Sequence, residues 1–130
     1  MLSMKRIGFI TKNKILAQSL ISYIKNNPDL PFEPFALLSI EQAVIDAEVF
    51  GIGIAIIEMI GEAPAETGVM MQLCKDLRKM NPDCRILFLV PQENIYNRDI
   101  AMQAVNDSVI DDFVFTDTSL DYLMAKLLAF

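Results

Sequence analysis

The residue best placed to do chemistry is Glu58, a carboxylate near the end of the apolar run Ile52 to Met59, where a strand would deliver it to the rim of a sheet. There it can stand as a solvated charge, or join Glu62 and Glu66 of the following connector, Gly61 to Gly68, in a weak cation site. Three carboxylates on a connector are more often simply solvated, so no metal ligand is expected. Thr11-Lys12-Asn13-Lys14 opens a helical stretch, and free amides with positive charge at a helix start favour anions. A nucleotide or flavin phosphate loop would want glycines in that turn, and none stands there, so no cofactor is expected. The chain has no histidine, which removes most zinc sites, the Ser-His and Cys-His nucleophile pairs and the usual neutral-pH general base. Cys74 and Cys84 lack metal-ligand spacing and read as small buried hydrophobes, with a disulfide as the alternative.

The elements that must hold these residues alternate strictly. Five short apolar, β-prone runs are Arg6 to Thr11, Phe32 to Ser39, Ile52 to Met59, Arg85 to Val90 and Val109 to Phe115. Several are nearly continuous hydrophobics, as strands buried on both faces of a parallel sheet require. Between them apolar residues recur at helical spacing: Ile40, Ala43, Val44, Ala47; Met70, Leu73, Cys74, Leu77; Leu120, Leu123, Met124, Leu127. Lys14 to Asn26 is a further helix, stopped by Asn27-Pro28, and Asn94 to Asn106 is another that turns Ile100, Ala101, Ala104 and Val105 inward. Asn81-Pro82 closes the third helix, and Thr118 or Ser119 can cap the last. Five strand–helix rounds describe a doubly wound open α/β sheet with helices on both faces.

With 130 residues, 53% of them apolar, the chain 1–130 is expected to be one domain, and a longer parent protein could continue past Phe130. No apolar stretch approaches the roughly 20 residues that span a bilayer, and no leader precedes a cleavage site, so the expected location is the cytoplasm, away from membrane. Seventeen acids against eleven bases leave a net charge of −6, which disfavours nucleic-acid contact and attraction to an anionic membrane surface. The eight methionines fit core filling.

The segment Asp111-Asp112-Phe113-Val114-Phe115-Thr116-Asp117-Thr118-Ser119-Leu120 resembles the C-terminal signature of response-regulator receiver domains, in which an acidic pair, an aromatic, aliphatics, lysine and proline precede a helix opened by Ser-Leu. Gly68 to Met80 followed by Asn81-Pro82 looks like that family's third helix and its exit, and Ile54 to Met59 like its central strand, so the likeness spans essentially the whole chain. The resemblance implies a flavodoxin-like three-layer sandwich, a five-stranded parallel sheet in the order 2-1-3-4-5 with five helices, and functional residues at the carboxyl edge of the sheet.

Position by position, the resemblance also implies a degenerate site. The family's magnesium-binding acids after the first strand correspond to Thr11 and Lys12, its phosphoaccepting aspartate to Glu58, its hydroxyl residue ending the fourth strand to Val90, its fifth-strand lysine to Thr116 and the proline after it to Asp117. No one-residue shift restores both the acids and the lysine. The expectation is therefore a pseudo-receiver, not an enzyme, in which Glu58 replaces the phosphoacceptor as either a phosphoryl mimic or a solvated strand-end charge, and in which the Lys12 ammonium pairs with Glu58 where a metal would sit. Phe113 falls at the family's switch aromatic, or is an ordinary sheet residue. The implied partners are a protein or an output domain in two-component phosphorelay signalling, and a second copy docked through the fourth helix, fifth strand and fifth helix, with Gln103, Asp117, Asp121, Tyr122 and Lys126 as exposed candidates. Two other readings stay open: a receiver still phosphorylated at an unusual acid, Asp111, Asp112 or Glu62, and a flavodoxin-like small-molecule sensor.

Overall fold

Burial along the central strands is continuous instead of alternating. In the computed structural model, which describes residues 4–59, 64–93 and 95–130, β3 (Ile54–Glu58) buries four successive residues and β4 (Arg85–Val90) five. Such strands need cover on both sides, and the connecting helices provide it. The chain runs β1 (Lys5–Ile10), α1 (Lys14–Lys25), β2 (Phe32–Leu37), α2 (Ala43–Phe50), β3, α3 (Pro64–Met80), β4, α4 (Ile95–Asn106), β5 (Asp112–Phe115), α5 (Leu120–Leu128). All pairings are parallel and the sheet order is β2-β1-β3-β4-β5, as the family likeness implied.

Successive strand residues feed opposite layers. Ile54, Ile56, Leu87 and Leu89 join Leu20, Ile24, Leu123 and Leu127 of α1 and α5. Ala55, Ile57, Ile86, Phe88 and Val90 join Ala43, Ala47, Leu73, Leu77, Ala101 and Ala104 of α2, α3 and α4. The edge strand β2 carries Pro34 opposite Ile7 of β1. At Gly8 a Cβ would come within 3.1 Å of Leu37 and 3.2 Å of Ile52, so a side chain in the middle of β1 would require these neighbours to give by a few tenths of an ångström. Gly51 ends α2 in the left-handed region (φ 65°), its amide and that of Ile52 reaching back to the carbonyls of Glu48 and Ala47.

Several boundaries differ from those read in the sequence. β5 starts at Asp112 and not at Val109, because the exit of α4 occupies 108–111: Ser108 adopts φ 61°, and the amides of Val109 and Ile110 return to the Ala104 carbonyl. β2 stops at Leu37, and Ile40 lies in the turn before α2, where the Ala43 amide donates to its carbonyl. Helix α3 begins at Pro64, inside what the sequence suggests is a connector. Proline suits a first helical turn, whose N–H groups lack intrahelical partners, and Gly68 is exposed, with no described residue where its Cβ would stand. Gly61, Glu62 and Ala63, and Asn94 at the expected start of α4, lie outside the described residues. Ser119 caps α5 by accepting from the Tyr122 amide at 3.1 Å.

Cys74 and Cys84 are free and buried in the layer under α3. Burial pushes the Cys74 thiol up to about 12 and that of Cys84 up to about 11. Both are therefore expected to resist a thiol reagent at about pH 8 in the folded protein and to react after unfolding in guanidinium chloride. Rapid stoichiometric labelling of the native chain would contradict that burial.

Candidate functional site

The register between β1 and β3, with Ile10 opposite Ile57, places the next residues, Thr11 and Glu58, side by side at the carboxyl edge. Thr11 is 4% exposed, and its amide donates to the Leu37 carbonyl at 3.3 Å. Its hydroxyl donates to Glu58 Oε1 at 2.6 Å and accepts from the Asn13 amide at 2.9 Å. Asn13 in turn caps α1, accepting from Leu16 at 3.0 Å. The Thr11 hydroxyl thus uses both its donor and acceptor capacity between the start of α1 and the half-buried Glu58 carboxylate. A hydroxyl bonded to an ionised carboxylate is short and strong, as seen here.

The expected Lys12–Glu58 pair is not formed. Among the described residues no ion pair includes Lys12, which is exposed. Adjacent residues leaving an extended strand point to opposite sides, so with Thr11 turned in, Lys12 turns out. It lies within electrostatic reach of Glu41, whose carboxyl is held below the usual range chiefly by a backbone hydrogen bond, then by the Ser39 hydroxyl, with Lys12 adding the least. Sequence reasoning missed the Thr11–Glu58 bond, although the strand alignment contains its signal: two polar residues each directly following a paired apolar position.

The remaining positions of the edge come from β4 and β5. Val90 is fully buried, so an apolar group stands where the resemblance implies a hydroxyl. Thr116 is exposed, tied to the edge by its amide, which donates to the Val90 carbonyl at 2.9 Å. Beyond it the Gln92 side-chain amide, in the loop after β4, faces the Asp117 carboxylate in the loop after β5, where a carboxylate calls for the amide nitrogen as donor. Phe113 is half-buried, packs on the layer under α3 and α4, and meets Phe115 edge to face at 5.8 Å. A magnesium ion does not fit these side chains: at the two positions the resemblance assigns to metal-binding acids stand a neutral hydroxyl already donating to Glu58 and an outward ammonium.

Other candidates fall elsewhere. Asp111 and Asp112 stand at the amino end of β5, across the sheet from Glu58, and each is committed: Asp111 to Arg78, Arg85 and the Ile86 amide, Asp112 to Lys126. Glu66 is exposed in the first turn of α3, and Glu62 lies outside the described residues. On the face made by α4, β5 and α5, Gln103 donates to Asp107 at 3.0 Å and Tyr122 is exposed beneath the Lys126 ammonium, which the hydrogen bond to Asp112 holds above the ordinary lysine range. Asp121 turns away from that face toward α1, accepting from the Tyr23 hydroxyl at 2.5 Å, and this bond raises the Tyr23 pKa.

No family model and no curated protein matches the sequence. Solved structures do. A two-component response regulator from Clostridium difficile superposes with a TM-score of 0.76 at 21% identity, covering 97% of this chain and 94% of that one. A response regulator protein from Thermotoga maritima, in complex with Mg(2+)-BeF, gives 0.72 at 16% identity over 97% and 98%. A CheY-like receiver domain protein from Methanospirillum hungatei gives 0.73 at 12% identity over 98% and 93%. These superpositions, each spanning nearly the whole of both chains, show that this chain has the fold of response-regulator receiver domains.

Proposed function

We propose that the chain is a receiver-like signalling module that works through protein contacts and not through phosphoryl transfer at Glu58. The observation that carries this reading is the 2.6 Å hydrogen bond from Thr11 to Glu58. In place of an acid that would help hold a metal ion, a hydroxyl occupies the carboxylate itself. The substitutions at Lys12, Val90 and Thr116 support the same reading, since phosphoryl transfer depends on cations that neutralise charge developing on the transferred oxygens. Glu58 then supplies a permanent negative charge, smaller than that of a phosphoryl group. The module is non-enzymatic and cytoplasmic in this reading, with a protein partner or an output domain reading its surface, and with the face of α4, β5 and α5 available for a homodimer. Among the described residues no helix is long and apolar enough to cross a membrane.

The test is incubation with acetyl phosphate and Mg²⁺, and separately with beryllofluoride and Mg²⁺, read by intact mass and amide NMR. The expected result is an unchanged mass and unmoved amide signals at 10–13, 57–59 and 115–117. Stoichiometric modification would sink the proposal and mark a receiver that takes phosphate at some other acid.

A further inference from the structure

Helix α2 carries apolar residues on its inner and its outward sides, separated by the acids Asp46 and Glu48. Its inner side is covered by the sheet and by α3, with Ala43 and Ala47 buried and Val44 packed against the core, whereas Ile45 and Val49, one turn apart, are 57% and 70% exposed. At about 100° per residue, Ile45 and Val49 form an outer stripe with Glu48 along one flank and Asp46 along the other, and Glu41 stands in the turn just before the helix. Beside this stripe a groove of about 300 Å³ runs between α2 and α3, floored by Ile40, Val44, Val69 and Leu73 and edged by the carboxylates of Glu41 and Asp76. Of the bases of α3, Lys75 opens into the furrow between α3 and α4, Arg78 pairs with Asp111, and neither they nor Lys79 lines the groove; Lys12 reaches only the Glu41 end.

The surface is thus an apolar track bordered by acids. A second copy docked face to face would oppose carboxylates to carboxylates, which repel. A helix with an apolar stripe and Lys or Arg along its borders meets both demands. We infer that α2 and the groove between α2 and α3 form a docking surface for a basic-bordered amphipathic helix of a protein partner. Thr11, Glu58, Val90 and Thr116 contribute nothing to it, so failure here leaves the proposal about the carboxyl edge standing, and the reverse.

The experiment titrates the ¹⁵N-labelled chain with two synthetic helical peptides of roughly 18 residues, both with a leucine stripe, one bordered by lysine and the other by glutamate. The lysine peptide is expected to move amide signals within 43–50 and 69–76, and to bind at least about tenfold more weakly to the Ile45→Ser/Val49→Ser double variant and several-fold more weakly in high salt. The glutamate peptide is expected not to bind. Because both substituted side chains are exposed, the double variant is expected to keep its melting curve. Shifts centred on other surfaces, equal affinity for the double variant, or no binding at millimolar lysine peptide each overturn the inference. So does a dimer, seen by sedimentation equilibrium, that the double substitution abolishes, since the occupant would then be a second copy.

Discussion

Phe88→Ala is expected to lower the unfolding free energy by about 3–5 kcal/mol, read from guanidinium denaturation with an unchanged slope. Phe88 is fully buried in the middle of β4, flanked in register by Ile57 of β3 and Phe113 of β5. It belongs to the layer in which α3 and α4 pack on the sheet, so truncation opens a cavity beneath two helices at once. Domains of this size are stable by only about 5–15 kcal/mol in total, and the variant is expected to be partly unfolded at modest temperature. A loss below about 1 kcal/mol would mean that the surrounding helices collapse into the space, against the cavity expected here.

Asp111→Ala is expected to cost about 3 kcal/mol, near the lower end for breaking a buried ion pair from one side, because the Asp111 side chain is 18% exposed and water can reach the gap. One of its oxygens accepts from Arg78 and from the Ile86 amide, both at 2.8 Å, and the other from Arg85 at 3.2 Å. Truncation strips the Ile86 amide of that acceptor and removes the carboxylate from two guanidinium groups, one of which, on Arg78, already has a buried Nε without a hydrogen-bond partner among the described residues. Asp111→Asn keeps an acceptor but not the charge, and is expected to lose less. The same denaturation series decides the matter: equal stability of the Ala variant and the parent chain would show that this network adds no net stability.

The five strands and five helices could be read from the sequence because strands buried on both faces are written as unbroken apolar runs and helices as a repeating stripe, signals that survive without tertiary information. What could not be read depended on side-chain direction or on local competition. Gly61 to Gly68 looks like connector by composition, yet from Pro64 onward it is helix, since proline and an outward glycine are tolerated at the positions they occupy. Val109 to Asp111 has strand composition, but the left-handed Ser108 and the return of the next two amides to Ala104 give those residues to the turn. At the site, the positions Thr11, Lys12, Glu58, Val90 and Thr116 were legible from order along the chain, whereas their partners were not. Lys12 carries the right charge for Glu58 and points the wrong way, and Asp121, assigned to the surface of α5, reaches across to Tyr23.

Pro34, in the middle of β2, bears on how this protein avoids polymerising. The outer border of a sheet offers spare amide donors to any extended chain that comes alongside, which is how edge-to-edge stacking begins. A proline nitrogen has no hydrogen to give, and within sheets it is tolerated where that nitrogen looks outward, so the row of donors is broken halfway along a six-residue strand. The opposite border is a strand of only four residues. Strand addition from either side is thereby discouraged, and association is left to the helical faces.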